Sequence, residues 1–383
     1  MDSLGPVDWD TAASVARRLS RPGPRAGRDQ LDELVGQLRE SATRAAVEAS
    51  RTTRLVPADG RPPQEVSRVL VVDRAGWARA NAQMFAVLAG PLTEPLAGPP
   101  AEPLGGAPVA DDAPVPSAGS RRSAGMQVGA GLAFLSGKVL GQFDPFTPPV
   151  PPGGGPRDPL APGEGRLLLV APNVLHLERV LGVDPADFRL WVALHEQTHA
   201  LQFAAAPWLA PHLRARFSLV LANLVGGTEP DASGDLAERF SSLVERAVQA
   251  VTKPDGSVLD ALSDEQRVVV DEVGAVMSLL EGHADVAMDA VGRRVVPSVR
   301  QIRAKFEARR DSAARKRGAA GLLRRLLGMD AKLAQYRDGA DFVRHVRGAV
   351  GLTGFNAVWE SVEHLPTPAE IEDPAAWVRR VHG

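Results

Sequence analysis

Cysteine is absent from this 383-residue chain. Disulfides, thiolate nucleophiles and sulfur-ligated zinc are therefore excluded, and any bound metal must be held by imidazoles and carboxylates. Lysine is scarce, with five among the 44 basic residues, and tyrosine occurs once, at Tyr336. No uninterrupted apolar run approaches the roughly 18 residues that a membrane span needs. The acidic start, Met1 to Asp8, lacks the basic and apolar pattern of a secretion signal, so a cytoplasmic protein is expected. A net charge of −2 supplies no bulk attraction for nucleic acid or an anionic membrane, and neither is expected as a partner. What is plentiful is apolar residues, 44% against 23% charged, enough for a sizeable core.

One short stretch carries chemistry. His195-Glu196-Gln197-Thr198-His199 places two imidazoles four positions apart, hence on one face of a helix where both can reach a single ion. The carboxylate after the first imidazole can then lie beside water at that ion. This is the HExxH zinc pattern, with two ligands and a general base. The surrounding residues support the helix. Asp184-Pro185 offers an N-cap followed by proline in the first turn, Asp187 adds a carboxylate where the macrodipole favours it, and Pro207 stops the helix near Ala206. Phe188, Trp191, Val192, Ala193, Leu194 and Phe203 would bury it.

Two histidines do not complete a catalytic zinc site; a third protein ligand is required, with one position left for solvent. Glu281 is the best candidate, a carboxylate set among Val276, Met277, Leu279, Leu280 and Val286, where it needs a cation or a network. Asp285 lies one turn further on the same face and is placed to accept the outer N–H of a ligand imidazole. His283 points elsewhere around the helix and is not expected to share an ion with Glu281.

Along the rest of the chain, residues 8–56 read as two or three helices, 66–72 as a strand and 74–88 as a helix. Residues 90–119 and 145–165 are rich in Pro and Gly and read as loops. The stretch 125–142 reads as a buried helix. Residues 166–171 read as a strand ahead of the HExxH helix, with an edge to which an extended substrate can pair. Helices are expected over about 208–225, 234–252, 264–291, 297–316, 319–328, 331–349 and 374–381. The sum is a mainly α fold (α+β) with one small sheet next to the HExxH helix. We divide it into N-terminal helices over 1–65 and a metal-site domain over 66–383.

HExxH with a distant Glu, and Asp four residues beyond that Glu, resembles the gluzincin pattern of zinc metallopeptidases. More narrowly, the chain resembles the actinobacterial zincin-like metallopeptidase family, often associated with deazaflavin-coenzyme biosynthesis. The landmarks are Trp77 and Asn81, Val139 to Pro145, Ala171-Pro172-Asn173, Phe188 to Glu196 and Leu280-Glu281-Gly282. Phe355 to Glu360, Leu365-Pro366-Thr367, Glu370 to Pro374 and Trp377 complete them. The resemblance implies one Zn2+ per chain held by His195, His199 and Glu281, Glu196 as general base, Asp285 as partner of a ligand imidazole, and a peptide or protein substrate. For the oxyanion, Tyr336 is a weak candidate, with His345, His364, Arg189 and Asn173 behind it. A non-catalytic zinc-bound scaffold and a hydrolase of a small amide stand as alternatives.

Overall fold

A computed structural model of the chain describes residues 5–90, 117–148, 165–226, 264–315 and 329–383. The expected helices at 234–252 and 319–328, and most of both Pro/Gly-rich segments, lie outside the described residues. In chain order the elements are α1 (Trp9–Leu19), α2 (Arg28–Thr53), β1 (Ser67–Val72), α3 (Arg74–Ala89), α4 (Ala118–Ser136), β2 (Gly141–Asp144) and β3 (Gly165–Val170). They continue as α5 (Ala171–Leu181), α6 (Pro185–Ala205), α7 (Leu209–Gly226), α8 (Asp264–Ala290) and α9 (Val299–Arg315). The last are α10 (Met329–Phe355), α11 (Pro368–Glu372) and α12 (Pro374–His382). The fold is mainly helical with a three-stranded sheet. No helix among the described residues is long and apolar enough to cross a membrane.

The sheet has the order β1-β3-β2, with β1 parallel and β2 antiparallel to β3. The unbroken run Leu167-Leu168-Leu169-Val170 predicts a strand covered on both faces, and all four residues are buried. Leu167 and Leu169 enter the core shared with α2, α5, α6, α8 and α10. Leu168 and Val170 face Ala16, Trp77, Ala78 and Leu132 from α1, α3 and α4.

Helix α6 is the spine of the larger core. Asp184 caps it by accepting from the Asp187 N–H at 2.9 Å, and Pro185 opens it. Phe188, Leu190, Val192, Ala193, Leu194, Ala200 and Leu201 are all buried. Helix α2 lies along it with a face of small residues, Ala42, Ala45, Ala46 and Ala49, that lets the two backbones approach. The contact is close enough for Gln197 Nε2 to donate to the Ala42 carbonyl at 3.0 Å. At the other end, Trp377 of α12 is fully buried against Phe342 of α10 and donates to the His364 carbonyl at 2.8 Å.

Two expectations are corrected. Residues 139–142 are not the end of a helix, because α4 stops at Ser136 and Lys138 turns back to the Leu135 carbonyl. The chain then joins the sheet, Leu140 accepting from the Val170 N–H at 2.8 Å, and residues 141–144 form β2. In consequence β3 is central, paired on both sides, and has no free edge to offer a substrate. The edge strands are β1 and β2. Strand β2 is pinned to α3 by the Gln142 and Asn81 amides, which exchange hydrogen bonds of 3.0 and 3.1 Å.

Candidate metal centre

Helices α6 and α8 bring His195, His199 and Glu281 together. The imidazoles are one turn apart on α6, their rings nearly perpendicular with centroids separated by 4.7 Å and their Nε2 atoms by 3.2 Å. Glu281 reaches across from α8, placing Oε2 3.2 Å from His195 Nε2 and 3.6 Å from His199 Nε2. One donor atom from each residue therefore lies within 4.8 Å of the other two. The cluster is buried on its inner side and opens at His195, whose side chain is 27% exposed, against 12% for His199.

The electrostatics fit a cation. Burial alone would lower the His195 pKa; the hydrogen bond and charge of Glu281, then the charges of Glu196 and Asp285, push it up to about 9. Burial would raise the Glu281 pKa, but the His199 charge and hydrogen bonds from both imidazoles hold it well below the usual carboxylate range. Two nitrogens and a carboxylate oxygen converging on a point that attracts positive charge form a donor set suited to a catalytic zinc.

Glu196 is buried at 6% exposure beneath β2, and burial pushes its carboxyl above the usual range despite the nearby imidazoles. The Phe143 N–H donates to its carboxylate. It fits there only because residue 141 is glycine: a Cβ at Gly141 would lie 2.6 Å from Glu196 Cγ. Neither β2 contact is visible in the HExxH motif itself.

The outer nitrogens of the imidazoles are where the sequence reading needs correction. Asp285 does not accept from a ligand histidine. It takes Arg303 Nη1 at 3.0 Å, and Arg344 stands 3.8 Å away, so its carboxylate faces guanidinium groups that neither motif nor spacing points to. His195 Nδ1 instead lies 3.3 Å from Met288 Sδ, and His199 Nδ1 lies 2.9 Å from Gln202 Oε1. The sequence signal of Gln202 is its position three residues after His199 on the same face.

Three of the remaining candidates are bonded to other groups, and nothing among the described residues places the other two at the cluster. Tyr336 falls on α10, and its side chain lies outside the described residues. His345 is exposed on the same helix. His364 donates to the Ala357 carbonyl at 2.9 Å. Arg189 pairs with Glu178 and Gln37. Asn173 holds the turn before β2, donating to the Ser136 and Val139 carbonyls at 2.7 and 2.6 Å.

His283 is buried, as Glu281's neighbour on a different face of α8. Burial first, then the charges of Arg347 and His199, push its imidazole down to about 3. A histidine whose folded pKa lies below its unfolded value near 6.5 stabilises above pH 6.5, and that contribution is lost as pH falls from 6.5 toward 3. In chelator-treated protein, the unfolding free energy should drop across that window by up to about 1.4 kcal/mol per pH unit more steeply than in His283→Asn. Urea unfolding at several pH values measures this. Parallel profiles for parent and variant would mean that the imidazole charges freely in the folded state.

Paired imidazoles on one helix, a glutamate from a second and a carboxylate between the histidines define a protein of the HExxH-plus-glutamate class. The comparisons agree. The family model described as zincin-like metallopeptidase matches residues 7–378, and the chain belongs to that family. A solved structure from Chloroflexus aurantiacus, provisionally described as a hydrolase with a novel fold, is 30% identical with a TM-score of 0.61. The match covers 98% of this chain and 99% of that one. No curated protein matches the chain.

Proposed function

We propose that the chain is a zinc-dependent peptidase in which His195, His199 and Glu281 hold the ion and Glu196 is the general base. The observation that carries this reading is the arrival of the Glu281 carboxylate, from a helix remote in sequence, at both Nε2 atoms of the paired imidazoles. Zinc held there would supply Lewis acidity, polarising a scissile carbonyl and lowering the pKa of water toward about 7. Glu196 would take a proton from the attacking water and return it to the leaving amine. Its burial and raised pKa favour that exchange, and the Phe143 N–H keeps one carboxylate oxygen oriented. Strand β2, at the sheet edge beside Glu196, is the place where an extended peptide would pair.

Purified protein should carry one zinc per chain and cleave members of a peptide library. Cleavage should stop with a chelator and return on zinc addition. Protein that takes up zinc but cleaves neither peptides nor small amides would favour a zinc-bound scaffold. Protein that takes up no divalent metal would overturn the reading. Gly141→Ala should keep the zinc and lower turnover by about a hundredfold, because the new methyl displaces Glu196 rather than a ligand. Metal content and kcat measured on the same preparation check this; a variant with the parent's kcat would show that the position of Glu196 under β2 is immaterial.

A further inference from the structure

The two imidazoles of α6 are supported unequally. His195 turns Nδ1 toward a thioether, a weak acceptor. His199 turns Nδ1 toward Gln202, a fully buried side chain whose amide is used at both ends. Gln202 Nε2 donates to the Leu280 carbonyl at 2.9 Å and to His283 Nδ1 at 3.0 Å. The Leu280 carbonyl can only accept, so it fixes which end of the amide is which; turning the amide over would set two oxygens against each other. Gln202 Oε1 therefore faces His199 and, having no hydrogen, requires that Nδ1 carry one. The His199 Nε2 then presents its lone pair to the cluster. His283 accepts through Nδ1 and is wedged against the rings of Phe355 and Trp359, with centroids at 5.2 and 5.3 Å. Those two aromatics belong to the Phe355-to-Glu360 segment, which the metal site itself leaves unused.

We propose that Gln202, clamped by the Leu280 carbonyl and His283, is a positioning residue that sets the tautomer and ring orientation of His199. Helix α8 then does two things at one place: it supplies Glu281, and through the residues on either side of it aims a ligand of α6. The C-terminal aromatics take part by holding His283 in register. This inference rests on the proposed metal centre, since it treats His199 as a ligand.

The test uses the full chain, with zinc affinity measured by competition against a chromophoric chelator. Gln202→Met keeps the bulk and removes every hydrogen bond; it should weaken zinc binding by about ten- to hundredfold. In zinc-loaded protein with 15N-labelled histidine, the His199 Nδ1–H should be protected from exchange in the parent and lose that protection in the variant. His283→Leu and His283→Asn both remove the imidazole packing, but the Asn oxygen keeps an acceptor near the place of Nδ1. His283→Asn should bind zinc close to the parent and His283→Leu several-fold more weakly. A purely structural Gln202 would lower the thermal midpoint of metal-free protein and leave zinc affinity at the parent's value, and that result overturns the proposal. If Gln202→Met does not fold, equal affinities for the two His283 variants overturn it instead. A parent that binds no zinc would strike the metal centre, whereas a parent that binds tightly beside an equally tight Gln202→Met strikes only the relay.

Discussion

Glu196→Gln is expected to retain zinc and to lose turnover by about a hundred- to ten-thousandfold, the range typical of removing a general base. The substitution is nearly isosteric, so the amide should fill the same space beneath Gly141, and its oxygen can still accept from the Phe143 N–H. What it cannot do is take a proton. The three converging donor atoms come from His195, His199 and Glu281, so metal content should not change. The loss should fall on kcat with little change in KM, because the base acts on the attacking water and not on substrate binding. Steady-state kinetics on the best library peptide, with zinc quantified in the same samples, gives both numbers. Turnover at the parent's rate would remove Glu196 from the mechanism. Loss of zinc would instead make it part of the ion's support.

The parts of the site that the sequence made legible are those governed by periodicity. The interval of four between His195 and His199 is a geometric statement about a helix, and the Asp184-Pro185 start with Pro207 beyond the end bounds that helix unambiguously. Glu281 was legible for a related reason: a carboxylate among Leu279, Leu280 and Val286 has to meet a cation. Asp285 failed because spacing on α8 says which face a side chain shares, not which guanidinium another helix brings to it; Arg303 of α9 did so. Strand β2 was missed because Gly-Gln-Phe-Asp is only four residues long, opens on a glycine and has no β-branched residue. It is a strand on account of its partner β3 and of a glutamate that leaves no room for a side chain at 141. The pattern within residues 8–56 marked helices but could not name α6 as the partner of the alanine face of α2. Local pattern thus specified the elements, and the contacts between distant elements set the details of the site.

Such a contact underlies the largest expected loss of stability. Helices α8 and α10 cross with Gly282 facing Gly339, so closely that a Cβ on Gly282 would overlap the Gly339 and Ala340 backbone. One on Gly339 would overlap the Ser278 carbonyl. Backbone stands on both sides, so no flexible side chain can yield and a whole helix must move. Gly282→Ala and Gly339→Ala should each destabilise the metal-free chain by on the order of 3 kcal/mol, the upper end for overpacking. The shift acts one residue from Glu281, whose Oε2 lies 3.2 and 3.6 Å from the imidazoles, so zinc affinity should fall as well. Gly36 and Gly348 provide the control: both are helical, and a Cβ on either meets nothing within 4 Å. There the same change should be neutral or stabilise by up to about 1 kcal/mol, because alanine is the better helix former. Opposite signs for one chemical change at two kinds of site isolate the crossing from helix propensity. Urea midpoints for the four variants decide it. If Gly282→Ala unfolded with the parent, the two helices would have slack at the crossing, and the approach of Glu281 to the imidazoles would need a different support.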